Sequence, residues 1–468
     1  MDSWTVDCWK QYIGIETGVE VHFTPEGGTL FLDYLPLPLN LAEADFLAGC
    51  DGTRTVAQLQ PGADGEDIDR VRLLLLVAKL VEEGRLTFSD QPRPREIRVT
   101  GSRRGFIPPH LTVELTAGCN LRCRHCYRES DAGKNSYLPT AELLSILQRL
   151  HDSGLRSVEL TGGEPTLHRD FPDILEYCAD TFALVGVLTN GTIVTPRILR
   201  LMESLGDRLL LSISLDGSTA EAHDCRRGVQ GAFDRTTRNI QRLAQKDIKV
   251  RVSMSVDEES FADIEPTLLL ARRLGAVAFS YAPVLPLGRG QDWAGPGWRL
   301  DGQEVMRAEQ DLVEKYAGFL SVLTADQQCE LEGGEPCGAG YRTFTMDPWG
   351  RIRPCAMYDP DLIVIGDLRT SSVEDVFANP ATRAMAHFPP PNPSTCSGCR
   401  LELFCRYCGL RGLQGSQQVA DCAWARLEEV QAVLRLLPAA RGTKGPEASD
   451  HAPLLPIAPP EPRVVRSP

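Results

Sequence analysis

Residues 116–130 read TAGCNLRCRHCYRES and set three cysteines, Cys119, Cys123 and Cys126, at the spacing C-x3-C-x2-C. The number of thiols decides which centre such a loop suits. Four thiolates saturate a tetrahedral zinc ion or a 4Fe–4S cube. Three leave one iron of the cube open to an outside ligand. A zinc site completed by His125 is the competing reading of the loop taken alone. The chain has 15 cysteines in all. Its start, MDSWTVDCWKQYIG, lacks a basic segment followed by an apolar one. No apolar run approaches the roughly 20 residues that span a bilayer. A reducing, cytoplasmic setting is therefore expected, where clustered cysteines are metal ligands before they are disulfides. The net charge of -14 argues against a nucleic-acid backbone as partner.

The elements that must position this loop follow from apolar periodicity. Between residues 110 and 287, β-rich runs recur at LTVELT, SVELTG, FALVGVLT, LLLSISL, KVRVSMSV and AVAFSYAPV, separated by amphipathic stretches such as PTAELLSILQRLHDSG. Six strand–helix repeats predict an α/β fold with a parallel sheet, open or closed into a partial barrel. In either case chemistry belongs at the C-terminal strand ends. The cysteine loop follows the first run. Before it, residues 1–92 form a small α+β unit. There VEVHFT and TLFLDYL, joined by PEGG, predict a hairpin; LNLAEADFLAGCDG, TVAQL and EDIDRVRLLLLVAKLVEEG predict helical segments. The Pro- and Arg-rich residues 93–109 are expected to be a linker. A core over 110–310, a Cys-rich unit over 311–437 and a Pro-rich, disordered tail over 438–468 complete the division.

Cys119, Cys123 and Cys126, with His125 before the last cysteine, resemble the signature of the radical S-adenosylmethionine (SAM) enzymes, whose fold is a partial (β/α)6 TIM-type barrel. The resemblance implies that the three thiolates are catalytic, holding a cluster whose open iron is chelated by SAM. Reductive cleavage then yields a 5′-deoxyadenosyl radical that abstracts a substrate hydrogen. TGGEP after the second run supports it: by resemblance Gly162, Gly163, Glu164 and Pro165 line the methionine moiety, with Glu164 on its amino group. SISLDG supplies Ser214 and Asp216, and HDCRRG supplies Arg226; Ser214 and Arg226 would contact the ribose and carboxylate of SAM.

The later cysteines resemble the SPASM domain: Cys337-x12-Gly350-x4-Cys355, then Cys396-x2-Cys399-x5-Cys405-x2-Cys408, then Cys422. The family pattern has three residues, not two, between the positions of Cys405 and Cys408. Two auxiliary 4Fe–4S clusters are implied, three clusters in all. Cys337, Cys355 and Cys408 would serve the first, with Cys329 a candidate fourth ligand; Cys396, Cys399, Cys405 and Cys422 would serve the second. Cys8, Cys50, Cys178 and Cys225 fit no spacing rule and are expected to be buried small hydrophobes. The N-terminal unit resembles the winged-helix-like, PqqD-like recognition element of ribosomally synthesised, post-translationally modified peptides (RiPPs). It implies a leader-binding domain that accepts the leader along an exposed hairpin edge.

Together these expectations describe an oxidoreductase that crosslinks a precursor peptide by thioether, C–C or C–O bond formation and draws electrons from a flavodoxin- or ferredoxin-type donor. The alternatives are a sulfatase-maturase-like enzyme, a tetrapyrrole-modifying enzyme and a non-catalytic zinc-ribbon module. Ala356 stands where sulfatase maturases carry Asp after the cysteine equivalent to Cys355.

Overall fold

The computed structural model describes residues 10–436 apart from 33–34, 60–66, 286, 291–301, 321–337, 358–363, 406–407, 417–418 and 420. The N-terminal unit contains strands β1 (Tyr12–Ile15), β2 (Val19–Thr24), β3 (Gly27–Leu32) and β4 (Leu35–Leu39), helix α1 (Leu41–Ala48), strand β5 (Asp51–Thr55), helices α2 (Val56–Leu59) and α3 (Asp67–Glu82), and strand β6 (Leu86–Ser89). The predicted hairpin is β2–β3, and α1 starts at a capping box between Asn40 and Glu43. Four further short strands were not legible in the sequence. β5, DGTRT, has no apolar alternation and forms because β1 pairs with it.

The segment expected to be a linker contains another strand, β7 (Arg98–Gly101), which runs parallel to β2 and gives the sheet order β4-β3-β2-β7. Composition misleads here because the docking residues are polar. Glu20 and His22 of β2 are almost fully buried. Glu20 accepts a hydrogen bond from Thr100 Oγ1 at 2.6 Å and pairs with Arg156 and Arg98. His22 lies 2.9 Å from both Thr100 Oγ1 and the carbonyl of Ile107. Further along, Ser102 bonds Glu374 and the Phe106 amide bonds the Phe377 carbonyl.

The six predicted runs form β8 (His110–Glu114), β9 (Ser157–Thr161), β10 (Leu184–Thr189), β11 (Leu209–Ser214), β12 (Val250–Val256) and β13 (Ala278–Pro283). They pair in parallel, in strict chain order. That order has no reversal point, so this is the topology of an opened TIM-type barrel rather than a doubly wound sheet. Three strands from the Cys-rich unit extend the sheet past β8: β14 (Thr343–Met346), parallel to β8, then β15 (Arg351–Arg353) and β16 (Gly366–Asp367), both antiparallel to their neighbours.

Helices α4 (Thr140–Asp152), α5 (Phe171–Thr181), α6 (Pro196–Leu205), α7 (Ala220–Arg227), α8 (Ala232–Ala244) and α9 (Ile264–Arg273) fall between the strands. Leu111, Val158, Val187, Ile213 and Val252 share one core with Leu147 of α4, Ile174 of α5 and Leu268 of α9. The alternate strand positions, Thr112, Glu159, Ser212 and Ser253, lie on the other face, where Ser253 bonds both Ser212 and Ser280. The strands are thus two-faced rather than continuously apolar; the alternation in VRVSMSV of β12 is its visible trace. Among the described residues no helix is long and apolar enough to cross a membrane.

Glu20→Ala should leave Arg156 without its buried carboxylate and cost about 2 kcal/mol. Limited proteolysis across residues 90–109 should accelerate and the melting midpoint should fall. An unchanged cleavage rate would show that the N-terminal unit is not held by this junction.

Candidate functional site

Every C-terminal strand end of the barrel sends residues to one place. After β8 comes the cysteine loop, with Cys119 and Cys123 buried and Cys126 half-buried. Its backbone is stitched on three sides. The Cys119 amide bonds the Asp131 carbonyl at 3.1 Å, while the amides of Arg122 and Arg124 bond the carbonyls of Arg227 and Arg226 at the end of α7. From beyond β13, Arg289 donates through Nε to the Cys123 carbonyl and through Nη2 to the Ser130 carbonyl, both at 2.8 Å, and its amide bonds the Cys126 carbonyl. Gly288 has φ +52°, and a Cβ there would sit 2.6 Å from the carbonyl oxygens of Cys126 and Tyr127. This clamp lies outside every stretch assigned a role from sequence.

The sulfurs face donors. Leu121 N is 3.4 Å from Cys119 Sγ, and Arg227 Nη1 is 3.6 Å from Cys123 Sγ. Burial pushes the Cys119 thiol up, with added repulsion from Glu164 and from Cys123 and Cys126. The thiols are therefore close enough to sense one another and sit where negative charge needs a cationic partner. Three thiols from one loop, with N–H and guanidinium donors at the sulfurs, fit a cluster that keeps one iron open.

The loop after β9 is pressed onto the cysteine loop. Gly163 N donates to Thr116 O at 2.7 Å and Glu164 N to Gly118 O at 2.9 Å. Gly162 adopts φ +140°, and a Cβ on Gly163 would lie 2.1 Å from Gly118 O. Glycine is thus required here by chain-to-chain contact. Glu164 is buried and its carboxylate is saturated from within. Thr166 N, Thr166 Oγ1 and Thr189 Oγ1 donate to Oε1, and Asn190 N donates to Oε2 at 2.7 Å. Burial raises its pKa against the pull of those bonds. Pro165 is buried and opens a single 3-10 turn over Pro165–Leu167.

Asp216 is the hub at the end of β11. Its Oδ1 accepts from Ser255 N at 2.9 Å; Oδ2 lies 2.8 Å from Arg227 Nε and 3.2 Å from His125 Nε2. Burial alone would raise its pKa, but Arg227, His125 and the Ser255 amide outweigh that and hold it below the usual carboxylate range. His125 is pushed down to about 4, chiefly by burial. Asp216 N donates to His223 Nδ1 at 3.1 Å, which fixes His223 as the neutral tautomer protonated on Nε2. Arg226 pairs with Asp257, at the end of β12. Ser214 is half-buried on the open face, and its hydroxyl makes no hydrogen bond among the described residues. Arg227, not singled out from sequence, is the arginine that reaches a cysteine; the RRG doublet before a left-handed glycine was the available signal.

In the Cys-rich unit, Cys396, Cys399, Cys405 and Cys422 line one pocket, walled by Leu401 and Trp424. The Cys405 thiol is pushed up to about 12 by burial and then by Cys396, Cys399 and Cys422. Among the described residues no three ligating side chains converge on a single-ion site. Four cysteines lining one pocket are a donor set that a 4Fe–4S cube takes. Cys355 and Cys408 pack on the adjoining cluster of Met385, Phe388 and Trp424. Cys329, Cys337, Cys8 and the tail 438–468 lie outside the described residues. Cys50 and Cys178 are buried as expected, but Cys225 is exposed. It sits on α7 between the buried His223 and Arg227 positions, on the turn that faces outward.

A sequence profile of the radical SAM superfamily matches residues 113–271, and the SPASM profile, an iron–sulfur cluster-binding domain, matches residues 337–400. The antilisterial bacteriocin subtilosin biosynthesis protein AlbA of Bacillus subtilis is 30% identical over 448 residues, covering 90% of this chain and 98% of its own. The AdoMet-dependent heme synthase of Methanosarcina barkeri is 29% identical over 327 residues, 65% of this chain and 92% of its own. Among solved structures, Streptococcus suis SuiB bound to its precursor peptide SuiA is similar in fold, with a TM-score of 0.62 at 16% identity over 90% of this chain and 100% of that one.

Gly163→Ala should drive Thr116–Gly118 out of place and lower the iron bound by the cysteine loop, measured in a variant whose Cys-rich unit is stripped of thiols. Wild-type iron content would show that the close approach is not needed. His223, whose folded pKa is pushed down to about 4 mainly by burial, stays neutral while the unfolded chain takes up a proton near the ordinary histidine value. Its contribution is present at neutral pH and lost as pH falls toward 4. His223→Gln should flatten the decline of the melting midpoint over that window; a parallel curve would contradict this assignment.

Proposed function

The chain belongs to the radical SAM superfamily, in the branch that carries the SPASM iron–sulfur domain, and from that premise we propose that it matures a ribosomally made precursor peptide. The observation that carries this reading is the likeness to a bacteriocin biosynthesis protein over 98% of that protein's length. With 90% of this chain covered, too few residues remain unmatched to leave out the N-terminal unit. The heme synthase covers 65% of the chain, so the same argument does not extend to it.

When bound at Cys119, Cys123 and Cys126, the cluster and SAM would supply a radical able to remove one substrate hydrogen, and clusters held by the later cysteines would supply an acceptor for the electron that leaves with the second hydrogen's proton. The chain's own residues do the positioning. Cys119, Cys123 and Cys126 hold the first cluster, with Arg227 beside Cys123 to offset its charge. Ser214 offers an uncommitted hydroxyl to SAM. Arg226 and Asp216 are already bonded to Asp257 and to Arg227 and His125, so they act by orienting the pocket wall. Glu164 ties the ends of β9 and β10 together behind the glycines. Cys396, Cys399, Cys405 and Cys422 hold one auxiliary cluster; Cys355 and Cys408 serve the other with Cys337, and Cys329 is the candidate fourth ligand.

The N-terminal unit acts as the PqqD-like leader domain. Its hairpin edges are both occupied, β3 by β4 and β2 by β7. The outer strand β4, LPLPL, carries Pro36 and Pro38 on the same side of the ladder, and neither offers an N–H to an added strand. The leader is instead received by α3, where Val71, Leu74 and Leu75 form an exposed apolar stripe at i, i+3, i+4 spacing. A tether at this distance raises the local concentration of the core peptide at the radical site.

Co-expression with each small peptide encoded beside this gene tests the reading. One peptide should become lighter by two hydrogens, and should stay unmodified with Cys119, Cys123 and Cys126 replaced by Ala. Unchanged masses for every peptide, with iron and sulfide fully loaded, would reject peptide crosslinking; an unchanged mass with an inverted stereocentre would replace it with epimerisation.

A further inference from the structure

Glu114 ends β8 on its open face and is 1% exposed. Two arginines converge on the same carboxylate oxygen: Arg128 Nη1 lies 2.6 Å and Arg353 Nη2 2.5 Å from Oε2. The other oxygen, Oε1, makes no hydrogen bond among the described residues. All three side chains are buried, Arg353 completely.

The two arginines come from the two cysteine fields. Arg128 stands two residues after Cys126, and Arg353 stands on β15, two residues before Cys355. Arg353 has a second contact: its Nη1 donates to the carbonyl of Ala356, immediately after Cys355, at 3.2 Å. A chain of polar contacts therefore runs from Arg128, two residues after Cys126, through Glu114 and Arg353 to the turn that carries Cys355. The sheet supports the same alignment, because β14 pairs with β8 and brings β15 alongside.

A buried ion triad contributes little net stability, since removing three charges from water costs about as much as their attraction returns. An apolar trio would fill the space as well. What charges add is direction: a planar guanidinium fixed at both ends holds two segments in one relative orientation.

We infer that Glu114 is a positioning residue that sets the separation and orientation of the SAM-binding cluster relative to the auxiliary cluster held by Cys355. This rests on the reading that Cys126 and Cys355 are cluster ligands. The consequence is functional. Hydrogen abstraction begins at one centre and the released electron is collected at the other, so a loosened triad should let SAM be cleaved without a crosslink being completed.

The test uses full-length, anaerobically loaded enzyme. In Glu114→Gln the two arginines lose their counter-charge; in Glu114→Asp the charge stays and the arm shortens by one methylene. Pulsed EPR on the reduced protein should show a broadened distance distribution between the SAM-binding cluster and its nearest auxiliary cluster in Glu114→Gln. A smaller change is expected in Glu114→Asp, with the distance between the two auxiliary clusters unaltered in both. The 5′-deoxyadenosine released per modified peptide should rise several-fold in the same order. If Glu114→Gln fails to take up iron, Glu114→Asp decides alone. Wild-type distances and a wild-type product ratio in a fully loaded variant would overturn the inference. Cys355→Ser tests the premise separately: unchanged auxiliary-cluster iron would remove that cysteine from the ligand set, whatever Glu114 does.

Discussion

Two peptide hydrogen bonds beyond the last ladder rung of β8 and β9 carry the geometry of the site. Gly163 N to Thr116 O and Glu164 N to Gly118 O keep adjacent strand ends paired after the strands have formally stopped. The cysteine loop starts from that pairing. It can do so because Gly163 has no Cβ to meet the Gly118 carbonyl, and because Gly162 occupies a backbone region that other residues rarely adopt. Glu164, fixed by the pairing, then reaches across to Thr189 and Asn190 and brings the end of β10 into the same frame. The relative placement of the cysteine loop and the ends of β9 and β10 is a consequence of this backbone contact.

Around that frame the protein buries charge where a small core would avoid it. Asp216, Glu164 and Glu114 are each at most 1% exposed, and each stands at or just past a strand end. None is isolated. Asp216 answers Arg227 and His125, Glu164 is met by hydroxyls and amides, and Glu114 is held by two arginines. Desolvation makes each carboxylate costly without those partners. Each therefore forces its partners into place: Asp216 presents Arg227 to Cys123, and Glu114 presents Arg353 to the Cys355 turn. Buried polar groups here serve orientation more than stability.

The three units are joined by structure, not by tethers. β7 makes the connecting segment part of the N-terminal sheet, and its continuation bonds residues 374–377 of the Cys-rich unit. Strands β14 to β16 make the Cys-rich unit part of the barrel sheet. A leader held on α3 would thus sit on a body fixed to the barrel by buried polar contacts at Glu20 and His22. The spacing from such a leader to the cysteine loop would then be a property of the fold and of the peptide, with little slack from the enzyme.

The sequence by itself determined the pieces whose signal is local. Six β-rich runs became six strands in chain order, the three-cysteine loop fell after the first, and TGGEP fell after the second, because periodicity and glycine turns act within a few residues. Cys396, Cys399, Cys405 and Cys422, grouped beforehand only through the resemblance to the SPASM pattern, do line one pocket, although Cys422 lies well beyond the paired C-x2-C spacing. Tertiary structure alone decided the rest. DGTRT and RVTG are strands only because partners distant in sequence pair with them. Arg289 clamps the cysteine loop from beyond β13, and Arg227 rather than Arg226 meets Cys123, since facing on one helical turn is settled by packing. The meeting of Glu114, Arg128 and Arg353 spans 239 residues of chain and has no periodic trace. Spacing along a chain records what neighbours can do together; long-range pairing depends on how the sheet brings strand ends side by side.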